Sequence, residues 1–218
     1  MVEAVDQGVG KILQTLERLR LTNNTIVIFT NDNGGEWLSN GGPLFNRKWT
    51  VWEGGIRVPM VMRWPGHIQA GRVSDQVGIT MDLSASILAA AGATVPSNYD
   101  GINIFPILEG RAPTVERTLH WRTDVGNRSM RAIRNGNWKL VVDANHLFVF
   151  NVRQDIGERN DLTYQRTDIA NRLRPMLARW EQEIDAEARA INPNAAPAGR
   201  GGARGGAAPT PQPAQPID

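Results

Sequence analysis

Asp32 and Asn33 are neighbours, and Gly34-Gly35 follow at once. A carboxylate beside a carboxamide offers two hard oxygens to a cation. The same residues also suit an ordinary polar Asn-Gly turn, so their types alone leave both readings open. Asp82 stands at the start of an apolar helical stretch, where a carboxylate caps exposed N–H groups. His67, His120 and His146 show no metal-ligand spacing and read as surface or strand residues. The sequence has no cysteine, which excludes disulfides and thiol chemistry.

The elements around Asp32 are readable from pattern. Thr25-Ile26-Val27-Ile28-Phe29-Thr30 is a run of β-branched and aromatic residues without alternation, as in a strand buried on both faces of a parallel sheet. In such sheets ligands sit beyond the carboxyl ends of the strands, where Asp32 falls. Val2, Val5, Val9, Ile12, Leu16 and Leu19 recur at steps of three and four, predicting an amphipathic helix before the strand. Its start without a cap suggests an opening inside a larger fold. Trp37–Trp52 is a long loop of the kind that carries function, and its tryptophans argue for packing. Ile56–Trp64 reads as a second strand, with Pro59 marking an edge or a bulge near its start.

Downstream the pattern changes. Asp82 to Gly92 reads as a short helix, and Pro96 to Pro113 as a linker with turn signals. Four short strands follow: Thr118–Arg122, Met130–Ile133, Trp138–Val142 and Leu147–Asn151. Asn135-Gly136, followed by Asn137, is a hairpin signal. Ile169, Leu173, Leu177, Trp180 and Ile184 then predict a helix that covers the small sheet, with Pro175 a candidate kink. Residues 191–218 hold Pro, Ala, Gly and Arg with few large apolar groups, a composition expected to stay disordered.

The formal net charge of +2 is too slight to point to nucleic acid or a membrane surface. Arg200-Gly-Gly and Arg204-Gly-Gly resemble RNA-binding tails, but two arginines are a thin electrostatic footprint. No apolar run is long enough for a membrane-spanning helix, and the first residues do not form a signal-peptide pattern.

Several ordered motifs carry a resemblance. Asp32-Asn33-Gly34-Gly35, then Lys48, then Trp52-Glu53-Gly54-Gly55-Ile56-Arg57-Val58-Pro59 resemble the second half of the sulfatase domain, within the alkaline-phosphatase-like superfamily. The likeness continues through Arg63-Trp64-Pro65-Gly66, Asp82-Leu83 and Asn137-Trp138-Lys139-Leu140. It ends at Phe150-Asn151, Asp155 and Glu158 to Leu162, and so covers roughly residues 1–188. Ordered motifs in series are far more specific than one short match.

The resemblance implies an α/β fold: the C-terminal part of an alkaline-phosphatase-like parallel-sheet sandwich, then a small antiparallel sheet packed on a C-terminal helix. The corresponding divisions are 1–113, 114–190 and the tail 191–218. It implies a sulfuric ester hydrolase in which Asp32 and Asn33 ligate calcium, with magnesium the alternative ion. Lys48 then contacts the sulfate group and the leaving oxygen, a task suited to a compact ammonium charge. Arg47 is adjacent, but the register to Glu53-Gly54-Gly55 selects Lys48. The family often has glycines where this chain has Asn46-Arg47. Glu53 is expected to fix the turn, while Glu36, Trp37 and Asn46 are candidates for the pocket wall.

Calcium takes six to eight oxygens, more than Asp32 and Asn33 supply. In the family the remaining ligands and the nucleophile, a formylglycine made within Cys/Ser-x-Pro-x-Arg, come from upstream. That motif does not occur in these 218 residues. The chain therefore reads as the C-terminal portion of a sulfatase, expected to be inactive alone, with a sulfate ester as the partner of the complete site. Phosphodiester or phosphonate ester hydrolysis within the same superfamily, and a non-catalytic interaction module, are the alternative readings. Family members are mostly periplasmic, secreted or lysosomal, and the sequence does not fix the compartment, substrate or oligomeric state.

Overall fold

The computed structural model describes residues 2–193. Of the tail expected from 191, Ile191 closes a helix, and the residues from 194 on lie outside the described part.

Helix α1 (Val2–Arg18) forms where the apolar steps place it, yet it buries no residue. A 3-10 turn, Thr22–Asn24, leads into strand β1 (Val27–Thr30). β1 pairs antiparallel with β2 (Met60–Arg63), from Val27 opposite Arg63 to Thr30 opposite Met60. β2 begins directly after Pro59, whose missing N–H suits the start of a strand. β1 is only half-buried, and Phe29 is exposed. Its apolar run suits cover on two faces, whereas β2 is its one paired neighbour among the described residues.

Between β1 and β2 the chain makes a long excursion that ends in a one-turn helix, α2 (Glu53–Ile56). Helix α3 (Thr80–Ala90) follows β2, and a single turn, α4 (Phe105–Leu108), precedes the small sheet. Asp82 caps α3: its carboxylate accepts the Ile79 N–H at 2.9 Å. The same buried carboxylate accepts the Ile102 N–H at 2.9 Å and pairs with Arg117 at 2.8 Å. Its two oxygens are thus committed to holding α3, the linker and the start of the sheet together.

The small sheet has four antiparallel strands in sequential order: β3 (Thr118–Val125), β4 (Arg128–Asn135), β5 (Trp138–Asp143) and β6 (His146–Asn151). Two-residue connections join them, as the register shows: Val125 faces Arg128, Asn135 faces Trp138, and Asp143 faces His146. Gly126, Gly136 and Ala144 each open a turn with positive φ, the geometry that matches the strand twist in tight hairpins. Helix α5 (Thr167–Ile191) runs on through Pro175 and lays Ile169, Leu173 and Leu177 on Ile133, Leu140 and Val149. The opposite side of the sheet packs Met130, Ala132, Val141 and Phe150 against Val51 and Trp52 from the excursion. The small sheet is therefore the base on which the loop after Asp32 is anchored.

Candidate active site

β1 ends at Thr30 and delivers Asn31, Asp32 and Asn33 into a cavity of about 430 Å³. Its wall also includes Gly34, Gly35, Glu36, Lys48, Gly54 and Arg57. Two segments that begin far apart in sequence thus meet: the acid–amide pair behind the strand and the lysine of the excursion. Asp32 is exposed and accepts the Asn33 N–H at 2.9 Å. That bond ties the Asp32 side chain to the backbone of its neighbour. Lys48 is half-buried, and its ammonium lies 5.2 Å from the Trp49 ring centre.

Close backbone packing fixes this geometry. Gly34 donates its N–H to the Gly55 carbonyl at 2.9 Å, and Lys48 donates to the Gly35 carbonyl at 2.9 Å. Gly54 donates to the Phe45 carbonyl at 2.8 Å. A Cβ on Gly34 would stand 1.8 Å from the Gly54 oxygen, and one on Gly54 would stand 2.3 Å from the Asn46 oxygen. Both positions require glycine because two main chains meet there. Asn46 and Trp49, on either side of Arg47-Lys48, hold positive φ. For a tryptophan that conformation is costly and persists only where surroundings impose it.

The other expected wall residues divide. Glu36 lines the cavity, and the Trp37 N–H bonded to its carboxylate holds its pKa below the usual value. Trp37 and Asn46 do not line it. Trp37 instead lies under the Arg47 guanidinium, 3.5 Å from ring centre to carbon, and Asn46 turns its carbonyl towards Gly54. Arg47 is thereby occupied, while Lys48 faces the cavity. Arg57 was not singled out from sequence, although it sits inside Ile56-Arg57-Val58-Pro59. It lines the cavity and pairs with Glu53 at 3.1 Å. The histidines lie elsewhere: His67 stacks on Trp64, His120 on Trp180, and His146 borders Phe148.

Glu53 fixes the turn, as its place beside two glycines suggested, and its partners come from the small sheet. Its carboxylate meets Lys139 Nζ at 2.8 Å, and Lys139 also pairs with Glu158 at 2.8 Å. Glu158 Oε2 in turn accepts the Glu53 N–H at 2.6 Å. All three residues are buried, Lys139 completely. Burial works to raise the Glu53 pKa, but the Lys139 ammonium prevails and holds it below its ordinary value. For Glu158 burial wins over the same lysine, and its pKa is raised.

As donors, Asp32 and Asn33 fit calcium in kind, since both present oxygen. They would make at most part of a coordination shell, and no cluster of three or more His, Cys, Asp or Glu suited to a metal occurs among the described residues.

The sulfatase family model matches residues 1–93. Human N-acetylgalactosamine-6-sulfatase is 44% identical over 119 residues, which are 50% of this chain and 23% of that protein. Human steryl-sulfatase is 40% identical over 123 residues, 51% of this chain and 21% of that protein. The solved structure of Ps i-CgsB in complex with k-i-k-neocarrahexaose superposes with a TM-score of 0.77 at 32% identity, covering 83% of this chain and 41% of the other. Residues 1–93 thus match the sulfatase family, and the chain shares the α/β, alkaline-phosphatase-like fold of its solved neighbours over most of its length. Its matches to the curated relatives named here span about a quarter of their length or less.

Proposed function

We propose that this chain contributes one side of a sulfuric ester hydrolase site: the cation-binding pair Asp32 and Asn33, and the sulfate-binding ammonium of Lys48. The observation that carries the reading is their common cavity, which Arg57 also lines. A sulfate ester brings negatively charged oxygens, and more charge gathers on the leaving oxygen as the S–O bond breaks. Fixed positive groups aimed at those oxygens lower the barrier because they need no reorganisation during the reaction.

Asp32 and Asn33 would hold calcium, which supplies charge neutralisation and polarises a sulfuryl oxygen. Lys48 places its ammonium across the cavity and contacts a sulfuryl oxygen and the departing oxygen. The Lys48 N–H to Gly35 bond fixes its backbone relative to Asp32, so the two charges keep their separation. The 218 residues contain no Cys and no Ser-x-Pro-x-Arg from which a formylglycine could be made. The chain by itself therefore carries the binding half of the chemistry and does not turn over substrate.

Calorimetric titration of the 218-residue chain with calcium tests the reading. Saturable heat that Asp32→Ala abolishes is expected; equal heat from the wild type and Asp32→Ala would overturn the metal assignment. Hydrolysis of an aryl sulfate by the purified chain, retained through further purification, would refute its incompleteness.

A further inference from the structure

We infer that Lys139, with Glu53 and Glu158, is a positioning device of the site, through which the small antiparallel sheet sets the placement of Lys48 relative to Asp32 and Asn33. The inference rests on the proposed roles of those three residues. Lys139 lies on β5 and Glu53 opens α2, 86 residues earlier. Its ammonium is wholly buried and meets two carboxylates at 2.8 Å each. Glu158 completes the triangle by accepting the Glu53 N–H at 2.6 Å.

From Glu53 the restraint passes to the cavity in one residue. Gly54 holds the Phe45 carbonyl, three residues before Lys48, and Gly55 receives the Gly34 N–H, next to Asn33. Arg57, on the far oxygen of Glu53, reaches the cavity wall itself. One carboxylate thus joins a cation under the sheet to a cation at the site. A buried lysine with two acids is expensive to desolvate, and hydrophobic packing would stabilise the fold as well or better. Its use here is specific geometry: the turn has one placement that satisfies both acids.

Lys139→Met in the full chain, read by amide hydrogen exchange, separates positioning from general support. The Gly34, Lys48 and Gly54 amides are expected to exchange at least about tenfold faster relative to the Ile133 and Leu173 amides, because local opening is then uncoupled from global unfolding. Uniform acceleration at all five, or none, would overturn the inference. Should Lys139→Met fail to fold, Glu158→Gln, which keeps an oxygen for the Glu53 N–H, is read by the same ratio and the same criterion. Lys139→Met/Glu158→Gln lowers the charge imbalance and is expected to recover part of the lost protection; no recovery would also overturn it. Absence of calcium binding in the wild type would sink the proposed function and leave these ratios to decide the inference.

Discussion

Trp52 donates its indole N–H to Asp143 at 2.9 Å, joining the excursion after Asp32 to the last residue of β5. Arg128 pairs with the same carboxylate from the neighbouring strand. The ring lies between Phe45, at 4.9 Å, and Phe150, at 5.6 Å. The carboxylate therefore fixes the tip of a side chain that the core already holds by its body.

This gives Asp143 a pH signature. The hydrogen-bonded Arg128 holds its pKa below the usual carboxylate value against the opposing effect of burial, with the Trp52 N–H adding to the lowering. A group with a depressed folded-state pKa stabilises the fold above its unfolded pKa and loses that contribution as pH falls through the folded value. Asp143→Asn is expected to cost about 2 kcal/mol at neutral pH, the scale of a hydrogen bond to a charged group. Urea melts should show the difference from wild type shrinking below about pH 4.

Gly54→Ala sets a methyl group against the Asn46 carbonyl, and Gly34→Ala sets one against Gly54. The neighbours in both cases are backbone and cannot rotate away. Each is expected to destabilise by about 2 kcal/mol or more, as overpacking does. Chemical denaturation measures it. Gly41→Ala is the control, because a Cβ there meets nothing within 4 Å.

Leu173 is fully buried where α5 meets Ile133, Leu140 and Val149. Leu173→Ala is expected to cost about 3 kcal/mol, within the range for large-to-small changes in a core. Thermal melts followed by far-ultraviolet circular dichroism would record it.

Lys48→Ala, placed in a catalytically complete sulfatase built on this chain, is expected to lower turnover at least ~100-fold, the scale of losing one charge-stabilising donor. Steady-state rates with an aryl sulfate measure this, and near-normal turnover would remove Lys48 from its assigned role.

The local features were legible in the sequence because their causes are local. Asn135-Gly136 marked a hairpin, and Ile169, Leu173 and Leu177 marked the face of α5. Asp82 read correctly as a cap. The strand before Asp32 was also evident, while its antiparallel pairing with β2 was not, since an apolar run states how buried a strand is suited to be and not which way its neighbour runs. Lys139 and Glu158 were read only as motif residues, and their pairing with Glu53 was missed for a different reason. A lysine in a strand ordinarily reaches solvent, and nothing within five residues of Lys139 announces an acid 86 positions away. Trp37 and Asn46 were placed at the wall by proximity alone, and the positive φ at Asn46 turns that stretch elsewhere.

Helix α1 buries none of its apolar residues: Val2, Val5 and Ile12 are exposed, and Val9, Leu13 and Leu16 are half-buried. Two glycines, Gly8 and Gly10, lie near its middle, each a weak helix former. A 17-residue segment resting on its own propensity is marginal in aqueous solution. Among the described residues, the peptide bonds around Arg18 and Arg20 should thus be the first that trypsin reaches, and the small sheet with α5 should survive as the resistant remnant.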